Sequence, residues 1–368
     1  GVSSDLFLTF YDHRLRVSWE RDDHLAIVWQ HFQKDGEITL FESLRGQHGE
    51  LASKGESAYT TEYALSYVQK EPNSSKMMKP IALYDDTARQ RKLDIESGCL
   101  YAKLYIHADT MTPFLEGELA PYVQRLIQKG LITHWFFIQY RDPTPHIRFR
   151  LFYDKKIDRA SLFTNFFAQI SKWQRTKEVS DVSLHVYERE LERYGGEKAI
   201  EHVEHFFCVD SMTVLHLLSV ESQFPLYVFA ALSITLIAYA WEGSFEATYR
   251  FFESAQLDKA LLAGTRSFKE PCSTFLVGCV AGTCQDNSEL AQLFSPFTSL
   301  FSYAVQLREH IEGCFDTKES RYHALDSLLH MHCNRLLGTD HDGEKRARCF
   351  AEALSLRCVQ KEAAVCVS

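Results

Sequence analysis

Apolar and polar positions alternate most regularly over residues 146–151, HIRFRL, where the side chains of a strand would point to opposite faces. His146, Arg148 and Arg150 then share one face and Ile147, Phe149 and Leu151 the other, the pattern of a half-buried strand. Just before it, ITHWFFIQY reads as a second strand, and RDPTP between them is rich in turn formers, so the two make a hairpin-like pair. CLYAKLYIH is a further strand. TPFLEGELAPYVQRLIQKG carries apolar residues at helical spacing, with Thr112 as N-cap and Gly130 as stop. DRASLFTNFFAQISKWQ is a helix, and DVSLHVYERELERYGG begins as a strand and ends at a glycine pair. From Gly196 onward the spacing is helical, over 197–219, 223–241, 243–255, 288–313, 319–337 and 343–358. Strands first and helices later predict an α+β fold: a mixed or antiparallel sheet in the first half of the main domain and a mostly helical second half.

The N-terminal stretch has a different texture. Residues 5–70 read as short strands and turns, with LFLTFYD, RLRVSWE and LAIVWQHF as aromatic and β-branched runs. KDGEITLFESLR follows as a turn into a strand or short helix, and AYTTEYALSYVQK alternates enough for a strand. EPNSSKMMKP (71–80) gathers Pro, Asn and Ser without periodicity and is the best linker, which places a boundary between about residues 70 and 97. The division expected is a β-rich domain over 1–85 and a main domain over 86–368.

Composition is that of a soluble globular chain, 45% apolar and 24% charged, and a formal net charge of −9 argues against an extended nucleic-acid surface. The ten cysteines are scattered without CxxC or zinc-finger spacing, so they read as reduced thiols of a cytoplasmic protein. Cys279 and Cys284 in GCVAGTC lack ligand partners at metal spacing, and no metal is expected. FPLYVFAALSITLIAYAW (224–241) approaches the length of a membrane span. Its Pro225, Ser233 and Thr235, and its acidic flanks Glu221 and Glu242, favour a buried core helix instead. The chain opens on GVSSDLF without a methionine, which reads as the later part of a longer polypeptide.

Three clusters carry candidate chemistry. The first is the strand face of His146, Arg148 and Arg150; a strand beside so apolar a neighbour is interior to its sheet, where an arginine needs an anionic partner or ligand. Two guanidiniums on one face make a fork suited to a carboxylate or phosphate. In the second, YERELERYGG (187–196), a helical reading sets Arg189 and Arg193 on one face, with Glu190 reaching Arg193 at i, i+3. The third is LLHMHCNRLLG (328–338), with His330 and Asn334 at i, i+4 and His332 and Arg335 at i, i+3. HxH on a helix points its two rings apart, which disfavours a zinc pair. The chain has no HExxH, GxSxG, Gly-rich phosphate loop or dinucleotide fingerprint, and no cofactor is expected. Arginines, a carboxylate and one or two histidines suit acid–base work on an anionic substrate better than covalent catalysis.

The order LYAKLY … HWFFIQYRDPTPHIRFRLF … YERELERYGG … DS … SLLHMHCNRLLG resembles the C-terminal domain of class I lantibiotic dehydratases, also found in thiopeptide-type bacteriocin biosynthesis enzymes. The likeness runs from about residue 94 to the end. The stretch from DDHLAIVWQHF to YTTEYALSYV looks like the last part of the family's N-terminal, glutamylating domain. In such enzymes that domain esterifies Ser or Thr of a precursor peptide with glutamate from glutamyl-tRNA. The C-terminal domain eliminates glutamate to leave dehydroalanine or dehydrobutyrine.

The resemblance implies that this chain is the eliminating half. Arg148 and Arg150 match the family's strand arginines and Arg193 the arginine of its RYGG motif. Glu190 would orient Arg193 or take part in proton transfer. His330 or His332 would be the general base or acid, with His332 favoured because Arg335 shares its face. Gln139 in FFIQY departs from an arginine common in the family. The partners implied are a glutamylated precursor peptide, a glutamylating domain or protein, and a cyclase, with no glutamyl-tRNA used by this chain alone. Oligomeric state stays open, a homodimer included. Three other readings stand beside it: a pyridine-forming [4+2] cycloaddition on the same fold, a non-catalytic precursor-binding module, and a relative adding amino acids from tRNA to a peptide terminus.

Overall fold

The structure, a computed structural model, describes residues 5–10, 13–18, 20–35, 39–42, 52–54, 57–59, 91–154, 156–253, 259–283 and 289–367. It divides into two compact units, Gly1–Pro80 and Ile81–Ser368.

In the first unit, β1 (Asp5–Phe10), β2 (His13–Ser18), α1 (Asp22–Asp35) and β3 (Thr39–Glu42) form an antiparallel sheet in the order β2-β1-β3 with one helix. β4 (Ala52–Lys54) and β5 (Ser57–Tyr59) make a separate ladder. Leu6, Leu8 and Val17 form the core, with Ile27 and Val28 of α1 packed against them. The run LAIVWQHF, expected as a strand, is thus helical. Asp22 and Asp23 sit in its first turn, where carboxylates complement the helix dipole, and the partly buried face of Ile27 and Val28 overrides the β-leaning composition. KDGEITLFESLR contributes the strand β3. Most of AYTTEYALSYVQK and all of the linker at 71–80 lie outside the described residues.

The second unit begins with β6 (Lys92–Leu93) and β7 (Cys99–Tyr105). A helical run follows: α2 (Met111–Phe114), a π turn at Leu115–Leu119 and α3 (Ala120–Gln128). Thr112 lies inside this run rather than capping it, whereas Gly130 ends it at φ +63°. Then come β8 (His134–Tyr140), β9 (His146–Phe152), α4 (Arg159–Arg175), β10 (Asp181–His185) and β11 (Tyr187–Glu188). A 3₁₀ turn at Leu191–Tyr194 leads into α5 (Glu197–Leu218). The rest is α6 (Leu226–Glu242), α7 (Phe245–Glu253), α8 (Arg266–Ala281), α9 (Phe294–Ile311), α10 (Lys318–Leu337) and α11 (His341–Val367). The fold is α+β, as expected. α8 was not foreseen, since Pro271 and Gly278 interrupt its pattern, and α11 runs past residue 358.

The sheet order is β10-β7-β9-β8, antiparallel throughout, so the arginine-bearing strand is interior. Ile147, Phe149 and Leu151 are fully buried. The outer edge of β8 is closed by helix side chains. Asn334 on α10 accepts from the Gln139 N–H at 2.9 Å and donates to its carbonyl at 2.8 Å, and Ser211 on α5 lies 3.4 Å from the Phe137 N–H. A buried peptide group needs such partners, and this stitching fixes α5 and α10 against the sheet.

The apolar run at 224–241 is the buried centre of the helical half, with α7, α8, α9, α10 and α11 packed around α6. Its Ser233 and Thr235 hydroxyls donate to carbonyls one turn back, at 3.0 and 2.7 Å, so neither is unsatisfied. Among the described residues no single helix is long and apolar enough to cross a membrane; α6 and α7 pass together but are bent by 112°.

At the start of β8, His134 stacks between Phe152 and His205, with ring centroids 4.1 and 4.3 Å away. Burial, helped by the neighbouring His205, pushes it down from 6.5 to about 3. The unfolded chain therefore binds a proton over that range that the folded chain refuses. Stability should fall as pH drops from about 6.5 towards about 3, by at most ~1.4 kcal/mol per pH unit from this group. His134→Phe keeps the stack, so urea midpoints taken near pH 7 and pH 5 should lie closer together than in the wild type.

Candidate functional site

The hairpin register puts Arg150 between Tyr101 of β7 and Phe136 of β8, and Arg148 between Lys103 and Ile138. Both arginines share a face with His146, as the alternation required. Their surroundings differ. The Arg150 guanidinium is buried in a cage of three rings, 4.6 Å from Tyr101, 5.0 Å from Phe136 and 4.5 Å from Tyr187. Its Nε and Nη1 have no hydrogen-bond partner among the described residues. Arg148 is half-buried and stacks 3.5 Å over Tyr140. The two guanidiniums rest on different rings. His146 is fully buried, bound through Nδ1 to the Thr144 carbonyl at 2.9 Å, and burial holds its pKa down.

The glycine pair positions the second cluster. Gly195 and Gly196 have φ of +90° and +88°, which turns the chain from the 3₁₀ segment into α5. A Cβ at Gly195 would lie 3.1 Å from Cys314 and Phe315. Arg193 and Glu190 make the expected i, i+3 ion pair at 2.8 Å, both half-exposed. Arg189 and Arg193 do not share a helical face, which corrects that expectation. The Arg189 N–H is tied to the Arg91 carbonyl at 2.8 Å beside the β6–β11 ladder, and its guanidinium turns inward to Glu204 on α5. That contact is bidentate, 2.8 Å from Nε and 2.6 Å from Nη2, and nearly solvent-free. Arg91 pairs in the same way with Glu192, and these residues with Glu188, Glu190 and Arg193 line a surface cleft.

The third cluster settles inside. His332 and Arg335, one helical turn apart on α10, both reach Asp210 on α5. His332 Nδ1 is 2.5 Å from one carboxylate oxygen and Arg335 Nη1 donates to the other at 2.8 Å. All three are fully buried. Burial works against the Asp210 charge, but the charges of His332 and Arg335 and their hydrogen bonds outweigh it and hold the carboxyl below its usual range. His332 Nε2 and Arg335 Nε and Nη2 have no hydrogen-bond partner among the described residues. Arg335 stacks 4.4 Å from Phe207 and lies 5.9 Å from the same Phe136 ring that flanks Arg150. Tyr194 links this interior to the surface pair: it feels the charges of Glu190, Arg193 and Arg335, and burial pushes it up to about 12.

His330 goes elsewhere. It is half-exposed and bound to Glu344 on α11 at 2.8 Å, a carboxylate that also accepts from Arg348. Asn334, its i+4 neighbour, is spent on the β8 edge. Gln139 uses its side-chain amide to hold the Arg335 carbonyl at 2.9 Å, so this departure from the family arginine serves the geometry of α10. The structure therefore links Arg150 to Arg335 and His332 through Phe136 and Asp210, links Arg193 and Glu190 to Arg335 through Tyr194, and directs His330 instead to α11. Sequence reasoning quoted Asp210, Tyr194 and Tyr187 only inside the motifs of the resemblance and gave none of them a role. The signal for Asp210 was a lone acid in the apolar run HFFCVDSMTVLHLL.

Residues 100–354 match the family model for the lantibiotic biosynthesis dehydratase C-terminal region. The chain belongs to that family. Every residue of the three clusters except Arg91 falls within the matched segment. The chain is 25% identical over 357 residues to the subtilin biosynthesis protein SpaB of Bacillus subtilis, covering 92% of this chain and 34% of SpaB. It is 26% identical over 249 residues to the nisin biosynthesis protein NisB of Lactococcus lactis subsp. lactis, covering 67% of this chain and 24% of NisB. It thus spans about a third or less of the length of these curated relatives. The fold is similar to that of the tRNA-dependent lantibiotic dehydratase MibB from Microbispora sp. 107891. There the TM-score is 0.62 at 18% identity, covering 98% of this chain and 37% of MibB.

Proposed function

We propose that this dehydratase C-terminal chain eliminates glutamate from glutamylated Ser or Thr of a ribosomally made precursor peptide, as a lyase of lanthipeptide biosynthesis. The observation that carries the reading is a set of buried polar atoms without partners among the described residues, on Arg150 and Arg335, which flank Phe136, and on His332, which shares Asp210 with Arg335. Buried donors and acceptors are nearly always satisfied in folded proteins, so such a set calls for a polar, anionic occupant.

Each step of the elimination has a side chain in this region to serve it. His332 Nε2 takes the α-proton. The Cα–H electron pair becomes the Cα=Cβ bond, the Cβ–O bond breaks, and glutamate departs with its ester oxygen as a carboxylate. Charge develops on the neighbouring peptide carbonyl and on the leaving carboxylate, and the guanidiniums meet it where little water competes. Arg193, oriented by Glu190, stands at the surface end, suited to receive the acidic glutamyl group. Residues 1–85 fit the last part of a glutamylating domain, which would supply the ester.

The test is mass spectrometry of a Ser-glutamylated precursor peptide incubated with the full chain. Loss of glutamate with formation of dehydroalanine supports the reading; an ester that survives while the peptide still binds would overturn it. Arg150→Lys keeps the charge but loses the planar fork held by three rings, so elimination should slow by about 10²–10³-fold. Dehydroalanine formation at the wild-type rate in that variant would remove Arg150 from the site.

A further inference from the structure

We propose that Asp210 is the positioning residue of this site and that Arg335 is a further anion-binding residue, the two acting with His332 as one unit. The inference rests on the elimination reading. Asp210 has both oxygens committed, one to His332 Nδ1 and one to Arg335 Nη1, in a place with no exposure to solvent. A carboxylate only accepts, so the imidazole nitrogen facing it carries the proton. The other nitrogen, Nε2, is then left with a lone pair, the form a proton acceptor needs. Without the carboxylate the two tautomers of a neutral imidazole compete, and the one protonated at Nε2 cannot take a proton there.

The same residue decides where Arg335 points. Nη1 is anchored, the guanidinium carbon lies 4.4 Å from the Phe207 ring, and Nε and Nη2 have no hydrogen-bond partner among the described residues. Burial, joined by the Arg150 charge, lowers the pKa of Arg335, and the Asp210 charge offsets part of that. Two parallel N–H groups match a carboxylate or the oxygen of a developing enolate. With a neutral imidazole, Asp210 balances the Arg335 charge, and the cluster gains one positive charge when His332 takes the α-proton. That charge matches the single negative charge that develops on the peptide carbonyl or on the leaving glutamate as the α-proton leaves.

The test is ¹⁵N NMR of the histidine-labelled full chain together with the elimination assay. In the wild type, the His332 imidazole is expected as the Nδ1–H tautomer; an Nε2–H tautomer there overturns the inference without any variant. In Asp210→Asn, which preserves the shape, the Nε2–H form should appear and elimination should slow by about 10²-fold or more, since a carboxamide can donate to Nδ1. KM for the glutamylated peptide should change far less than kcat. Asp210→Glu should recover part of the loss. A wild-type tautomer and rate in Asp210→Asn would make the carboxylate merely structural. If the wild type itself forms no dehydroalanine, the elimination reading fails, and the NMR arm still decides what Asp210 does to His332. Arg335→Lys keeps the Asp210 contact but not the paired donors, so unchanged elimination in that variant removes Arg335 from the inference.

Discussion

His332→Ala is expected to slow glutamate release from a Ser-glutamylated peptide by about 10²–10⁴-fold, the loss that follows removal of a positioned proton acceptor. His330→Ala should stay within about threefold, since its ring faces solvent and Glu344 on another helix. The two histidines are separated by one residue, and spacing alone leaves either as the base. The α10 geometry separates them: His332 turns to Asp210 and Arg335, and His330 turns to α11. Quantifying dehydroalanine by mass spectrometry under single-turnover conditions reads the chemical step directly. Folding of His332→Ala should be checked in the same preparation, because it strips Asp210 of one of two partners. A slow variant whose urea midpoint is unchanged assigns the loss to chemistry. The reverse pattern, with His330→Ala slow and His332→Ala near wild type, would move the site to the α10–α11 side and sink the assignment of His332 as the base.

Glu204→Ala should lower stability by about 3–5 kcal/mol, measured as a shift of the urea midpoint. The Arg189–Glu204 pair is bidentate and almost free of solvent. Removing the carboxylate leaves a buried guanidinium without the acceptor of two of its hydrogen bonds, and desolvation of that charge dominates the cost. Burial opposes the Arg189 charge, and Glu204 more than restores it, so the guanidinium stays ionised in the folded protein. The double variant Arg189→Met with Glu204→Leu removes both charges and should recover most of the loss. A single-variant loss below about 1 kcal/mol would mean that the pair contributes orientation rather than stability. The pair matters to the site because it ties the Tyr187–Tyr194 segment to α5, and Tyr187 forms one wall of the Arg150 cage.

Several features were legible in the chain before folding. The alternation in HIRFRL set the faces of β9, and two turn-forming prolines marked the hairpin. Helical spacing marked α5, α6, α7, α9 and α10 to within a few residues at most ends, because each buries one side and leaves another wet or, for α6, buries nearly all of itself. LAIVWQHF went the other way. Its β-branched and aromatic residues say strand, and only packing of Ile27 and Val28 on a sheet made it a helix.

At the site the division is sharper. Sequence by itself determined that arginines lie on one strand face, that His332 and Arg335 share a helical side, and that Glu190 reaches Arg193, because each of these is set by the short period of one element, 2.0 in a strand, 3.6 in an α-helix and 3.0 in the 3₁₀ turn. It also carried the family, through separated motifs in order. Tertiary structure alone decided which arginine is caged, which histidine meets an acid, and that the acid is Asp210, 122 residues away from His332 in the chain. Local periodicity fixes only which way a side chain leaves its own element. Which charge it meets depends on how α5 and α10 are stitched to the edge of β8, and those contacts link positions that no local spacing relates.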